Sequence, residues 1–240
     1  MSRTLLDKIL ADSPAFHRGD TETTRIAKAT ETALKGPVLD NIAKRVPACY
    51  GIAEDLARLL FELVPEGSRT LETGAGISTL VFAMRKCRHI AVTPSSEEVA
   101  NIREYAAKNL IPLEGVEFVI EPSDQYLPRS EAKDLEVVLI DGKHAFPWPI
   151  IDWFFTADKL KERGLLVLDD IEMSSVSILG EFLSEDPRWK LENAIPRRSL
   201  VFRKLSSSVH DVSWHMQPYI TRRYGRKARL LNRLGLKRGF

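Results

Sequence analysis

From Ser68 to Arg203 the chain alternates short apolar runs with longer helical patterns, and that alternation leaves few architectures open. Val137-Val138-Leu139-Ile140 and Leu165-Leu166-Val167-Leu168 are apolar at consecutive positions, not at every second one. Strands of that kind are covered on both faces, as in a parallel sheet flanked by helices. The pattern predicts strands at 69–73, 89–93, 116–121, 135–141, 165–169, 189–194 and 199–203. Helices are predicted between them at 77–86, 95–109, 149–163 and 174–183, the second opened by a capping box of Ser95 and Glu98. The expected fold class is α/β, a doubly wound, mostly parallel seven-stranded sheet. Its last two strands, around Pro196-Arg197-Arg198, are expected to form an antiparallel edge.

Residues 1–66 read differently. Leu5, Leu6, Ile9 and Leu10 recur at helical spacing until Ser13-Pro14, a second helix is expected at 21–34, and a third at 51–63 has Ile52, Leu56, Leu59, Leu60 and Leu63 on one face. This helical region either covers a site or packs on the sheet. The division expected is 1–66 helical, 67–205 the α/β domain and 206–240 a tail. The 240 residues suit one domain with appendages. A formal net charge of +2 says little about partners, but its distribution says more. The tail carries Arg222, Arg223, Arg226, Lys227, Arg229, Arg233, Lys237 and Arg238 among Tyr219, Tyr224, Leu230 and Leu234. That basic amphipathic segment could meet an anionic partner or a membrane surface, or serve as a dimer arm in a homo-oligomer. Cys49 and Cys87 form no CxxC and are expected to be reduced thiols. No apolar run reaches the roughly 18–20 residues of a membrane span, and Met1-Ser2-Arg3-Thr4 has no signal-peptide core; the cytoplasm is the expected location.

The first predicted strand runs into Glu72-Thr73-Gly74-Ala75-Gly76-Ile77-Ser78-Thr79. A glycine turn between strand and helix is where open α/β sheets hold nucleotide-like ligands. A dinucleotide fingerprint needs a third glycine where Thr79 stands. Glu72 would repel a pyrophosphate and suit a cofactor bearing positive charge, which favours S-adenosyl-L-methionine over NAD. Acids recur at the ends of later strands: Asp141 after the fourth, Asp169 and Asp170 after the fifth. Both ends face one edge of such a sheet, where oxygen ligands suit Mg²⁺ or Mn²⁺. The alternative is helix and turn capping. His144, in Asp-Gly-Lys-His, is the candidate general base, with Lys143 beside it. Ser123 and Asp124 follow the third strand and could hydrogen-bond an adenine, and Phe146 and Trp148 are candidate pocket residues.

Taken together, Glu72-Thr73-Gly74-Ala75-Gly76 with Ser78-Thr79, Ile140-Asp141-Gly142-Lys143-His144 and Leu166-Val167-Leu168-Asp169-Asp170 resemble the class I S-adenosylmethionine-dependent methyltransferases. The D-G-x-H loop and D-D strand end are similar to the macrolide-sugar O-methyltransferases, and more distantly to the catechol type. The resemblance covers residues 68–203 and implies a Rossmann-like methyltransferase fold. It further implies that Glu72, Gly74 and Gly76 line the methionine end of the cofactor, with Ser78 and Thr79 opening the helix beside it. Asp124 would lie by the adenine, Asp141, Asp169 and Asp170 would hold the ion, and His144 would be the base. The second strand ends Ala91-Val92-Thr93-Pro94-Ser95, without the acid such folds place there for the ribose. Thr93 or Ser95 is expected to substitute. The function expected is metal-assisted O-methylation of a hydroxylated small molecule, a sugar or glycoside. The alternatives are metal-independent methylation of nitrogen or a carboxylate, and a non-catalytic binding protein of the same fold; an NAD-dependent dehydrogenase fits least.

Overall fold

The computed structural model describes residues 3–14, 16, 51–210, 212–223 and 225. Elements are numbered along these described residues. Helices α1 (Arg3–Asp12) and α2 (Glu54–Leu63) come first. Then strand and helix alternate: β1 (Arg69–Thr73), α3 (Ile77–Met84), β2 (Arg88–Val92), α4 (Ser96–Lys108), β3 (Val116–Val119), the single turn α5 (Ser123–Tyr126), β4 (Leu135–Ile140), α6 (Trp148–Ala157), β5 (Leu160–Leu168) and α7 (Ser174–Glu185). The hairpin of β6 (Trp189–Ile195) and β7 (Ser199–Lys204) closes the sheet.

The seven strands lie in the order β3-β2-β1-β4-β5-β7-β6. β1 to β5 are mutually parallel, and β7 enters antiparallel between β5 and β6. Consecutive apolar residues of β4 and β5 therefore serve opposite faces. Val137, Leu139, Leu165 and Val167 pack with Leu6, Ile9, Leu56 and Leu60 of α1 and α2 and with α3. Val138, Ile140, Leu166 and Leu168 pack with Trp153 of α6 and Val176, Leu179 and Leu183 of α7. The two N-terminal helices are thus part of the core. The expected helix at 21–34 lies outside the described residues, as do Cys49 and the tail beyond 225. Within the described tail, residues 218–223 are helical. Arg223 reaches Glu181 at 2.8 Å and Glu185 at 2.9 Å on α7, while Tyr219 packs edge-on against Phe182. Cys87 is free and buried, and burial pushes its thiol up to about 11. Among the described residues, no helix is long and apolar enough to cross a membrane.

One boundary corrects the sequence pattern. The helix expected to run to Arg163 ends at Ala157, and β5 begins at Leu160. Leu160 pairs with Leu135, the register slips before Val137 meets Leu165, and Arg163 takes φ +67 at the irregularity. Lys161, Glu162 and Arg163 have the polarity of a helix face but are the exposed start of a strand, where Lys161 pairs with Glu136 at 2.6 Å. The turn from α6 into β5 is held by Lys204, fully buried at the end of β7. Its ammonium donates to the carbonyl of Ala157 at 2.7 Å and to that of Leu160 at 2.6 Å. Burial lowers its pKa, the charges of Asp158 and Glu162 oppose that, and the two carbonyls solvate the ammonium. Lys204→Met strands both carbonyls while relieving a buried charge. The expected net loss is about 2 kcal/mol, read as a melting temperature lowered by ~4–8 °C. An unchanged melt would show that water replaces the ammonium.

Candidate active site

The carboxyl ends of β1, β2, β4 and β5 open on one cavity of about 760 Å³, within the ~300–1,000 Å³ of small-molecule sites. Each crossover supplies part of the wall. Thr73, Gly74 and Ala75 follow β1, Val92 to Ser95 follow β2, and Ser123, Asp124 and Gln125 form α5 after β3. Asp141 to His144 and Trp148 follow β4, and Asp170 follows β5.

The β1 turn is tied to both neighbours. The Gly74 N–H donates to the Val92 carbonyl at 2.9 Å, and the Asp141 N–H donates to that of Thr73 at 3.0 Å. Gly74 sits at φ +88, and a Cβ there would come within 2.3 Å of the Asp141 carbonyl oxygen. Only glycine lets the two crossovers approach this closely. Glu72 lies beneath the turn, fully buried and off the cavity wall. It accepts the Thr79 hydroxyl, whose oxygen in turn accepts the Gly76 N–H at 3.0 Å. His89 Nε2 stands 3.1 Å from the same carboxylate, with Thr70 against its other ring nitrogen at 2.8 Å. Glu72 and Thr79 therefore brace the turn from below. Gly76, Ser78 and Thr79 are likewise off the wall, the two hydroxyl residues buried at the start of α3.

The acids after β4 and β5 divide. Asp141, His144 and Asp170 bring ligand atoms within 4.8 Å of one another. His144 Nε2 is 3.6 Å from Asp141 Oδ1 and 3.3 Å from Asp170 Oδ2, yet makes no hydrogen bond of good geometry. Its loop is tied to α7, where the Ser175 hydroxyl donates to the His144 carbonyl. Asp169 instead turns into the β6–β7 hairpin. It accepts the Ser199 hydroxyl at 2.5 Å and faces Arg198 at 3.7 Å. Arg198 also takes Asp170 Oδ1 and Glu172, each at 3.0 Å, leaving Asp170 one oxygen for the cavity. Asp170 holds φ +56, a left-handed conformation that aspartate tolerates better than most residues. Burial drives the Asp141 carboxyl up to about 7, with Asp169 and Asp170 adding to it and His144 opposing. Burial, with Asp170 alongside, lifts Asp169 to about 6 against the pull of Ser199 and Arg198. For His144, burial alone would lower the pKa. The nearby carboxylate of Asp141, with the charges of Asp170 and Asp169, outweighs it and holds the imidazole above its ordinary value.

Residues 71–171 match a family model described as a methyltransferase domain. No curated protein matches the chain in sequence. Among solved structures, the O-methyltransferase TomG from Streptomyces achromogenes, involved in tomaymycin synthesis and in complex with SAM, aligns at a TM-score of 0.55 and 13% identity; the alignment covers 83% of this chain and 96% of that one. A methyltransferase from Geobacter sulfurreducens aligns at 0.54 and 16% identity over 76% and 96%. The cofactor-bound Rv0187 from MTB aligns at 0.55 and 16% over 84% and 97%. The chain has the fold of the class I S-adenosylmethionine-dependent methyltransferases.

Within this fold no acid stands at the end of β2, and the acid that lines the cavity beside it comes from the next helix. Glu98, in the first turn of α4, is on the cavity wall and accepts the Thr93 hydroxyl at 2.6 Å. The expected capping box is therefore half formed. Ser95 Oγ accepts the Glu98 N–H at 3.1 Å, but the Glu98 carboxylate goes to Thr93, and the Ser95 N–H turns to Thr93 Oγ1 at 3.3 Å. Ser123 and Asp124 are on the wall in a helical turn opened by Pro122. Lys143 Nζ lies 3.6 Å from the Trp148 ring centroid, an ammonium held over an aromatic face at the cavity wall. Phe146 is exposed and off the wall. Sequence reasoning missed Arg198.

Proposed function

We propose that the domain methylates an oxygen of a hydroxylated small molecule, a sugar or glycoside, with Asp141, His144 and Asp170 as the reacting centre. The observation carrying this reading is that these three groups share one cavity with the glycine turn. S-adenosylmethionine fits this cavity: small residues Gly74 and Ala75 admit close backbone approach on one wall, and Glu98 with Thr93 offers acceptors for a diol on the next. A divalent ion fits the centre, whose carboxylate and imidazole atoms stand about as far apart as neighbouring ligands of one ion, around a ring nitrogen with no hydrogen bond. Asp141, Asp170 and His144 would hold it. The imidazole favours Mn²⁺ over Mg²⁺, and Asp169, engaged by Ser199 and Arg198, is left out. When bound, such an ion supplies Lewis acidity that lowers the pKa of a coordinated hydroxyl. The protein's own part is to fix the acceptor oxygen in line with the methyl group, with Trp148 and Lys143 shaping the entrance.

The raised proton affinity of His144 supports a second reading, in which no ion binds and His144 passes the substrate proton between Asp141 and Asp170. Calorimetric titration with S-adenosylhomocysteine tests the cofactor, and its failure at millimolar concentration would remove the whole proposal. Incubation with S-adenosylmethionine and a panel of glycosides, with Mn²⁺ or with EDTA, is expected to give a one-methyl mass gain that the chelator abolishes. Turnover insensitive to EDTA would select the second reading.

A further inference from the structure

Arg198 stands at the turn of the β6–β7 hairpin, and its backbone is tied on both sides. Its N–H donates to the Ile195 carbonyl across the turn, and its own carbonyl accepts the Ile171 N–H, each at 3.0 Å. The residue is thereby fixed against the segment that follows the D-D strand end. Glu172, off the cavity wall, accepts a hydrogen bond from the guanidinium at 3.0 Å and holds it in place. From there the guanidinium lies 3.0 Å from Asp170 Oδ1 and 3.7 Å from Asp169 Oδ2. The other oxygen of Asp169 accepts the Ser199 hydroxyl at 2.5 Å. The two acids therefore differ in what they can still offer. Asp169 is buried with both oxygens engaged by the hairpin. Asp170 keeps Oδ1 against the guanidinium and turns only Oδ2 toward His144, at 3.3 Å.

We propose that Arg198 is a positioning residue that sets which ion the centre accepts. By holding one oxygen of Asp170 and keeping Asp169 turned away, it limits the carboxylate oxygens on offer and so favours a small octahedral ion, Mn²⁺ or Mg²⁺, over Ca²⁺. The inference rests on the ion-bound reading of this centre. Ca²⁺ takes about six to eight oxygens and often draws both atoms of one carboxylate. An ion seated on both oxygens of Asp170 would close on the guanidinium and meet like charge. A smaller ion is content with one atom from each of Asp141, His144 and Asp170, its other places left to substrate oxygens and water. The imidazole also disfavours Ca²⁺, but it does so with or without Arg198. What Arg198 controls is the supply of further carboxylate oxygens.

The test follows Mn²⁺ on the full chain by its electron paramagnetic resonance signal, with Ca²⁺ as competitor. The native protein is expected to prefer Mn²⁺ at least about 100-fold. In Arg198→Lys the positive charge stays, but one ammonium does not span two carboxylates as the planar fork does. An acid oxygen is freed, and the preference should fall to about tenfold or less. Arg198→Gln releases both acids and is expected to show the same fall, which keeps the test valid if one variant does not fold. A role through charge alone would leave the native ratio in Arg198→Lys, and in Arg198→Gln would tighten both ions alike. A merely structural role would weaken both ions alike in either variant. A ratio that stays near 100 in a folded variant overturns the proposal, as does a native protein that takes Ca²⁺ as readily as Mn²⁺. Binding of neither ion to the native protein would instead show that the ion-bound reading itself is wrong, and the proposal would fall with it.

Discussion

Gly74→Ala is expected to abolish S-adenosylhomocysteine binding and to destabilise the domain. Two costs add. At φ +88 an alanine is strained by about 1–2 kcal/mol relative to glycine. Its methyl would also lie 2.3 Å from the Asp141 carbonyl oxygen, a backbone atom that cannot swing aside like a side-chain terminus. The β1 and β4 crossovers would have to part. That strains the bonds from Gly74 to Val92 and from Asp141 to Thr73, and shifts Asp141 relative to His144. A total of ~2–4 kcal/mol is expected, with cofactor affinity down at least 100-fold because the ligand's own cradle is displaced. Calorimetry and thermal melts measure both. Affinity within threefold of the native protein would mean that the turn relaxes locally and that the cavity is not built on this contact. Gly76 is the control: a Cβ there meets nothing within 4 Å, so Gly76→Ala should leave the melt close to native.

The fold was legible because its central strands are apolar at every position. Val137 to Ile140 and Leu165 to Leu168 cannot sit in a sheet with a wet face, and a glycine turn between strand and helix orders the rest. What local pattern could not settle was the stretch from Ala157 to Gly164. There the boundary is fixed by Lys204, some forty residues away, and by pairing of Leu160 with Leu135. No reading of residues 157–164 alone contains that information.

The candidate site shows the same division. Gly74, Asp141, His144 and Asp170 were readable because each ends a strand or opens a crossover, and topology brings those ends together. Sequence gives the position of a side chain along a strand but not its direction past the end. Asp169 and Asp170 are neighbours in sequence, yet one faces Ser199 and Arg198 of the antiparallel hairpin and the other His144. The hairpin at Pro196-Arg197-Arg198 carried no chemical signature by itself; its guanidinium acquires meaning only when folded against the D-D strand end. Glu72 illustrates the converse. Its charge suggested a direct contact with a cationic cofactor, whereas its neighbours are Thr79 and His89 beneath the turn. Glu98, read from the sequence as half of a capping box, reaches the cavity because α4 begins immediately beside Thr93.

The centre formed by Asp141, His144 and Asp170 should make stability and ion binding depend on pH in opposite directions. Asp141 at about 7, Asp169 at about 6 and the raised His144 all bind protons more tightly in the folded than in the unfolded chain. Over roughly pH 4 to 7 the folded protein therefore holds more protons, and its ion-free stability falls as pH rises through that window. A bound cation reverses the trend, because Asp141 must lose its proton and His144 must offer a neutral nitrogen. The melting temperature without metal is thus expected to decrease from about pH 5 to about pH 8, while the increment given by Mn²⁺ grows, reaching about 2.7 kcal/mol of stabilisation at a hundredfold excess over its dissociation constant. Asp141→Asn carries no titrating carboxyl and should flatten both slopes, leaving the part due to Asp169 and His144. Asp170→Ala should weaken Mn²⁺ binding at least about 100-fold, as measured by its electron paramagnetic resonance signal, since it removes a direct ligand where even outer partners are worth ~10–100-fold. A Mn²⁺ increment equal at both pH values, and unchanged in Asp170→Ala, would place the ion elsewhere and leave His144 as the proton carrier of a metal-free centre.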